Sequence, residues 1–445
     1  MESDCLPVVA LTARPNSVLR RQQTGIGTAS ASERSGDVVG THAGAGLALA
    51  AVAALILGFA VRVGGRTVFP ADFLLVALVV RWRFRPSMPK SPAALAIATL
   101  FVAWVVALVT HPSAYGTIST IRWFALIALV PALQRAIRAK PTLTANVLGC
   151  AAVVEALIVV GQSMRGRALG LGFLGEPAHP FIESQQVLLA PTGTINHPDL
   201  HGWFLLTIAA VLIVLSLRRR ASLVPAAIVC FLGASAATVS YKRMPMLAWS
   251  VLGAALAVHA LRSTGRERRT ATMFTLLLLL GVAVFLPSTF SGWHYRADAG
   301  SASVNDFSSG RVDLLPQAAR IIRDNPVGVG PNNYLPELIR RHPDVRRPTL
   351  VHVVPLLATA EGGWAVGAAL AALVVAGARG AWRSRRTRRW TPFAIAAAPL
   401  LIVSMLTPLP MLYAIGPVLT ALGLATCAVA LDRPESPTTE PHRAC

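Results

Sequence analysis

Residues 199–217 read DLHGWFLLTIAAVLIVLSL, and RRR follows at 218–220. A helix needs about 20 apolar residues to cross a bilayer; this run has that length and stops on three cations that hydrocarbon does not accept. Working outward, comparable runs lie near 43–61, 67–80, 92–110, 117–134, 143–161, 222–240, 244–261, 271–288, 353–378, 391–407 and 411–431. Together they make about 12 transmembrane helices, with 67–80 short and the last two parted only by TPLP at 407–410. The fold class expected is an all-α polytopic membrane protein with one large extracytoplasmic loop, because a helix satisfies its own backbone without water.

Charge tests that count. Only 14% of the 445 residues are charged, yet the net charge is +21, whereas a soluble domain carries about 25% charged residues. Basicity alone suggests nucleic acid, but here the cations punctuate apolar runs, so no nucleic-acid partner is expected. With the N-terminus taken as cytoplasmic, 26 of the 41 Lys and Arg fall in inner segments and 6 in the short outer loops, as the positive-inside rule requires. Eight more lie in 289–352, a loop long enough (above roughly 60 residues) to be exempt from the rule. Arg122 falls inside a span, with Glu155 as a candidate partner.

The chain therefore divides into a disordered cytoplasmic tail (1–42) without a signal peptide, a transmembrane domain (43–431) that includes the 289–352 loop, and a disordered cytoplasmic tail (432–445). The expected location is the cytoplasmic (inner) membrane, multi-pass, with both termini cytoplasmic. Cys5, Cys150, Cys230, Cys427 and Cys445 are dispersed and show neither metal nor disulfide spacing. A second outer loop, 162–198, is rich in Gly and Pro. Loops of such length are usually functional or disordered, which directs the search for chemistry to the outer face.

Four clusters lie there. Gly193-Thr-Ile-Asn-His-Pro-Asp199 enters the sixth span and is followed by His201 and Gly202. Ser240-Tyr-Lys-Arg-Met-Pro245 makes a turn with two cations, Lys242 and Arg243. The large loop holds Ser308-Ser-Gly-Arg311, Ala318-Ala-Arg-Ile-Ile-Arg-Asp-Asn-Pro326 and Gly328-Val-Gly-Pro-Asn-Asn-Tyr334. His352 opens the tenth span, and Glu361-Gly-Gly363 lies deeper in it. Each has a plainer reading: Lys242 and Arg243 as interface anchors, Asn196 or Asp199 as a helix cap, Ala318–Ile322 lying on the bilayer surface, Gly328 and Gly330 as turn residues. Ionisable groups within spans, such as Glu155 and Glu361, normally face a cavity or a partner.

Taken in order, Gly-Thr-x-Asn-x-Pro before a span, Arg in a tight outer turn, Ser-Gly-Arg then Asn-Pro-x-Gly-x-Gly in a large loop, and His with Glu-x-Gly opening the next span, the sequence resembles the O-antigen ligase and polymerase superfamily. The motifs cover roughly 190–375, and hydropathy alone covers the rest. The chain departs from the pattern at Lys242, where Ser is usual before the turn Arg, at Val353 after the loop His, and at Leu315 and Pro316, where an aromatic is usual. The resemblance implies a GT-C type membrane glycosyltransferase that uses a polyprenyl pyrophosphate-linked glycan donor on the outer face. The acceptor would be a glycan, lipid, cell-wall component or protein, and membrane lipids surround the spans.

A donor of that kind already carries a good leaving group, so the site must cradle pyrophosphate and deprotonate the acceptor. Arg binds phosphate oxygens bidentately, which nominates Arg243 and Arg311, helped by Lys242, Arg320 and Arg323. His352 is the candidate base, since an ordinary imidazole titrates at about 6.5 and is mostly neutral at physiological pH. Asn196, His197, Asp199, Glu361 and Tyr334 are the candidate saccharide-binding residues. No cofactor and no metal is expected, and attack opposite the pyrophosphate would invert the anomeric centre. The competing classes are a lipid-linked oligosaccharide flippase or polysaccharide transporter, for which inverted repeats and broken helices would be expected, and a non-catalytic membrane scaffold.

Overall fold

A computed structural model describes residues 61–63, 66–68, 92–174, 176–178, 181–184, 188–195, 197–218, 220–298, 314–343, 349–384, 392–397, 401 and 415–431. All belong to one unit, Thr41–Cys445. Strands β1 (Val61–Val63) and β2 (Arg66–Val68) pair antiparallel, with Arg62 opposite Thr67. Residues 67–68, expected to open a span, are thus strand. The spans expected at 43–61, 67–80 and 391–407 otherwise fall largely outside the described residues, as do both tails.

Most of the remaining helices follow the apolar runs. The remaining elements are α1 (Pro92–Thr110), α2 (Ala114–Ala139), α3 (Pro141–Arg165), a hairpin of β3 (Phe181–Ser184) and β4 (Leu188–Pro191), α4 (Pro198–Leu217), α5 (Leu223–Val239), α6 (Arg243–Arg262), α7 (Gly265–Asp298), α8 (Leu314–Asp324), α9 (Tyr334–Arg341), α10 (Val354–Gly362), α11 (Trp364–Ser384) and α12 (Ile415–Leu431). Among the described residues, α2, α3, α4, α6 and α7 are long and apolar enough to cross a membrane, while α1, α5, α11 and α12 contribute shorter apolar stretches. Boundaries sit where local chemistry dictates. Ser113 caps α2 through Gly116 N–H, Pro141 and Pro198 occupy first-turn positions that need no N–H donor, and α3 ends on left-handed Gly166.

Helix α4 is the axis of the bundle: every residue from Leu200 to Ser216 is buried. A helix that is apolar all round belongs inside, and α3, α5, α6 and α12 pack around it. Helices α5 and α6 in turn pack on α7, α12 on α2, and α11 on α1.

Two helices depart from the hydropathy reading. Helix α7 continues past 288 to Asp298, where Trp293 Nε1 donates to the Thr238 carbonyl (3.1 Å) and its ring lies 6.2 Å from that of Tyr241. The run 353–378 is two helices, α10 and α11, separated at Gly363, whose φ of 82° no continuous helix adopts. The large loop also carries structure of its own. Leu314, Ala318 and Ile321 of α8, with Tyr334 and Leu338 at helical spacing on α9, close over Leu357 and Ala360 of α10. The apolar side of Ala318–Ile322 is therefore turned onto α10.

Hydrogen bonds also join segments distant in sequence. The 111–116 turn meets the large loop, Ser113 Oγ donating to the Pro331 carbonyl and Asn333 Nδ2 to that of His111, both at 3.2 Å. Both segments are expected outside. Arg218, expected inside, and Ala430, near the end of the last expected span, are joined by a guanidinium–carbonyl hydrogen bond.

Candidate functional site

The first two clusters meet at the start of α4. The Glu155 carboxylate, for which Arg122 is the partner read from sequence, accepts from Thr194 N–H (3.2 Å), Thr194 Oγ1 (2.7 Å) and Ile195 N–H. Two turns along α3, Gln162 Oε1 accepts from Gly193 N–H (3.0 Å) while its Nε2 donates to Glu176 (2.9 Å). Glu176 also accepts from Leu169 and Leu171 N–H, both at 2.7 Å. Two buried side chains of α3 thus clamp the turn that aims the chain into α4. Gly193 is required there: its φ is 64°, and a Cβ would lie 1.9 Å from Glu155 Oε1. Gly193→Ala is expected to cost about 1–3 kcal/mol in backbone strain alone, read as a lowered thermal-unfolding midpoint in detergent. An unchanged midpoint would mean that the clamp does not hold the turn.

Beyond the turn, His197 is the N-cap of α4, its Nδ1 accepting from Asp199 N–H (3.2 Å). Burial depresses its pKa, Asp199 opposes that shift and Lys242 adds to it. A neutral ring is what the cap needs, since a protonated Nδ1 could not accept. His201, one turn on and fully buried, lies beside His197 and Lys242. The closeness comes from Gly202, where a Cβ would sit 2.5 Å from the Pro245 ring. Lys242 N-caps α6 and Arg243 begins it; both are half-buried, and left-handed Tyr241 (φ 52°) makes the turn before them. Asn196 lies outside the described residues.

The third and fourth clusters form a second unit. Breaking a helix leaves its last carbonyls without partners, and the loop supplies them: Val329 N–H donates to Ala360 O and Gly330 N–H to Glu361 O, each at 2.9 Å. In return Trp364 N–H donates to Pro326 O and its Nε1 to Ile322 O, again at 2.9 Å. The Glu361 carboxylate accepts from Asn332 and Tyr334 N–H. Gly328 (φ 93°) lies so close that a Cβ would be 2.4 Å from Glu361 O. Asn325 Nδ2 finishes α8 on the Ile321 carbonyl (2.7 Å). Asn325–Gly330 and Glu361–Gly363 are therefore two halves of one lock, and the two glycines of the loop are turn residues.

The other nominated residues are placed as follows. Tyr334 is fully buried in the loop's core, its phenol pushed up to about 12 by burial and then by Glu361. Arg320 and Arg323 are exposed on α8, Arg323 against Asp324 (3.1 Å). Arg341 joins Asp324 (2.8 Å) to Glu337, and Arg340 grips Glu337 in a bidentate pair (2.7 and 2.8 Å) that, chiefly through Arg340, holds its carboxyl down at about 2. His352 is half-buried between buried Val351 and α10, with Nδ1 shielded from solvent. Arg311 lies outside the described residues. Glu155, Gln162, Glu176 and the Gly202–Pro245 contact are absent from the site residues nominated from sequence; the one signal for them is an ionised residue type within an apolar run, at Glu155. Among the described residues no group of three or more His, Cys, Asp or Glu could hold a metal ion.

Residues 226–371 match the family described as O-antigen ligase. The match takes in Lys242–Pro245, the whole large loop, His352 and Glu361–Gly363, and begins after Gly193–Asp199. No curated protein matches the chain.

Proposed function

We propose that this chain, with an O-antigen ligase domain over residues 226–371, transfers or polymerises a glycan from a polyprenyl pyrophosphate-linked donor at the outer face of the cytoplasmic membrane. The observation that carries the reading is that the matched stretch contains both the Lys242–Arg243 turn and the loop lock that leads to His352. Arg243 and Arg311 hold the departing pyrophosphate as bidentate forks, with Lys242 beside Arg243. Arg320 and Arg323, on the exposed side of α8, meet the donor at most peripherally. His352 takes the proton of the acceptor hydroxyl; with Nδ1 shielded, Nε2 is the nitrogen that serves. The acceptor oxygen bonds to the anomeric carbon as the bond to pyrophosphate breaks, so the centre inverts, and no metal takes part.

His197, Asp199 and Asn196 bind the saccharide. Glu361 and Tyr334, nominated for saccharide, instead hold the loop, because the carboxylate and the backbone N–H groups of Asn332 and Tyr334 serve each other. The broken helix at Gly363 is a feature that transporters share. Here its freed carbonyls are filled by Val329 and Gly330, which favours transferase over flippase.

Deleting the protein is expected to cause the lipid-linked precursor to accumulate where a membrane-impermeant probe reaches it, with loss of long or ligated glycan. Precursor confined to the inside would overturn the reading in favour of a flippase, and product length separates ligase from polymerase.

A further inference from the structure

At the end of α7 remote from Trp293, one face of the helix from Gly265 to Leu280 lines an open groove of about 770 Å³, all of whose lining residues belong to α7. Its mouth carries Arg268 and Arg269, and its body Met273, Leu276, Leu277 and Leu280. Among the described residues neither guanidinium has an ion-pair or hydrogen-bond partner, and both are exposed. The acidic residue of the same turn, Glu267, acts on His259 of α6. Leu276 and Leu280 stay 60% and 51% exposed, whereas Ala271, Phe274 and Leu278 on the adjoining face of the helix are buried in the bundle.

We propose that this groove is a binding site for an anionic phospholipid, its phosphate between Arg268 and Arg269 and an acyl chain along Met273–Leu280. Charge selects the headgroup: two exposed guanidiniums at the end of an apolar trough attract a phosphodiester, whose oxygens can accept from both, and a hydrocarbon tail suits the trough. Dimensions select the tail. From Arg268 to Leu280 the helix rises about 18 Å at 1.5 Å per residue, close to one leaflet of a hydrocarbon core about 30 Å thick. A soluble anion would use the arginines and leave the trough empty, and a neutral lipid would use the trough and leave two cations unmatched. The site is independent of the transfer reaction, since it lies at the opposite end of α7 from Tyr241 and Trp293.

The test titrates purified full-length protein in neutral detergent with phosphatidylglycerol, phosphatidylcholine or inorganic phosphate and reads bound lipid by native mass spectrometry and the unfolding midpoint. Phosphatidylglycerol is expected to bind and raise the midpoint, with affinity falling roughly 30-fold in the Arg268→Gln, Arg269→Gln double variant, from about a fivefold loss per arginine. Leu276→Trp, which fills the trough and keeps both cations, is expected to lose phosphatidylglycerol as well. Equal binding of the two lipids, undiminished phosphatidylglycerol binding in either variant, or an equal effect of phosphate would overturn the proposal.

Discussion

Replacing His352 by alanine is expected to lower glycan transfer by roughly 10²–10⁴-fold, the usual contribution of a positioned general base. Membrane insertion and donor binding should stay unchanged. The side chain is half-buried at a loop-to-helix junction, and α10 begins after it with Pro355 in its first turn, so its removal leaves the helix intact. Arg243→Ala is expected to lose about 10²–10³-fold, as when one preorganised donor to developing charge is removed, and to weaken the donor as well. The two variants differ in how the loss divides. Without the base kcat falls and KM holds; without the guanidinium both change, and Arg243→Lys recovers charge but not the fork. Transfer assayed in membranes with a lipid-linked donor separates these outcomes, and full activity in both variants would remove His352 and Arg243 from the reaction.

Much of the helical frame is legible because apolar length and terminal charge are local properties. The runs 92–110, 199–217, 222–240 and 244–261 reappear as α1, α4, α5 and α6 within a residue or so at each end. What hydropathy misses depends on partners far along the chain. In 353–378 the one local mark of a break is the Gly362-Gly363 pair, and hydropathy passes over it because it sits in an apolar run. The break becomes stable only when Val329 and Gly330, some thirty residues earlier, supply N–H groups to its carbonyls. The extension of α7 beyond 288 likewise depends on Trp293 finding Thr238.

The candidate site divides the same way. Its four clusters are visible as motifs, but their pairing is not, since Gly202 against Pro245 and Gly328 against Glu361 are contacts between segments distant in sequence. Glu155 and Glu361 illustrate the limit. Both are conspicuous as carboxylates in apolar runs, where a functional role is the default expectation. Each is instead a receptor for backbone N–H groups, Glu155 for Thr194 and Ile195, Glu361 for Asn332 and Tyr334. The cost of burying a carboxylate is offset by donors that the loops would otherwise bury unpaired. The turn into α4 and the large loop therefore hang from two glutamates, one on α3 and one on α10.

Glu361→Ala is accordingly expected to release the large loop while the bundle stays folded. The substitution leaves two buried N–H groups without acceptors, at about 1–3 kcal/mol each, and so removes roughly 2–6 kcal/mol from a lock built of few contacts. Gly328→Ala attacks the same lock from the other side: its φ of 93° strains an alanine, and the added Cβ would lie 2.4 Å from Glu361 O and 2.6 Å from Gly363 N. The loop has its own apolar core, separate from that of the bundle, so loop release need not melt the helices. Both variants should show rapid proteolysis within 314–343, near-normal helical content by circular dichroism, and transfer reduced by at least about tenfold, as expected when a catalytic group loses its positioning. Glu361→Gln keeps one carbonyl oxygen and should recover part of both protease resistance and activity. If Glu361 instead bound saccharide directly, Glu361→Ala would raise KM with the loop as protease-resistant as in the parent, and that result would return the residue to the substrate.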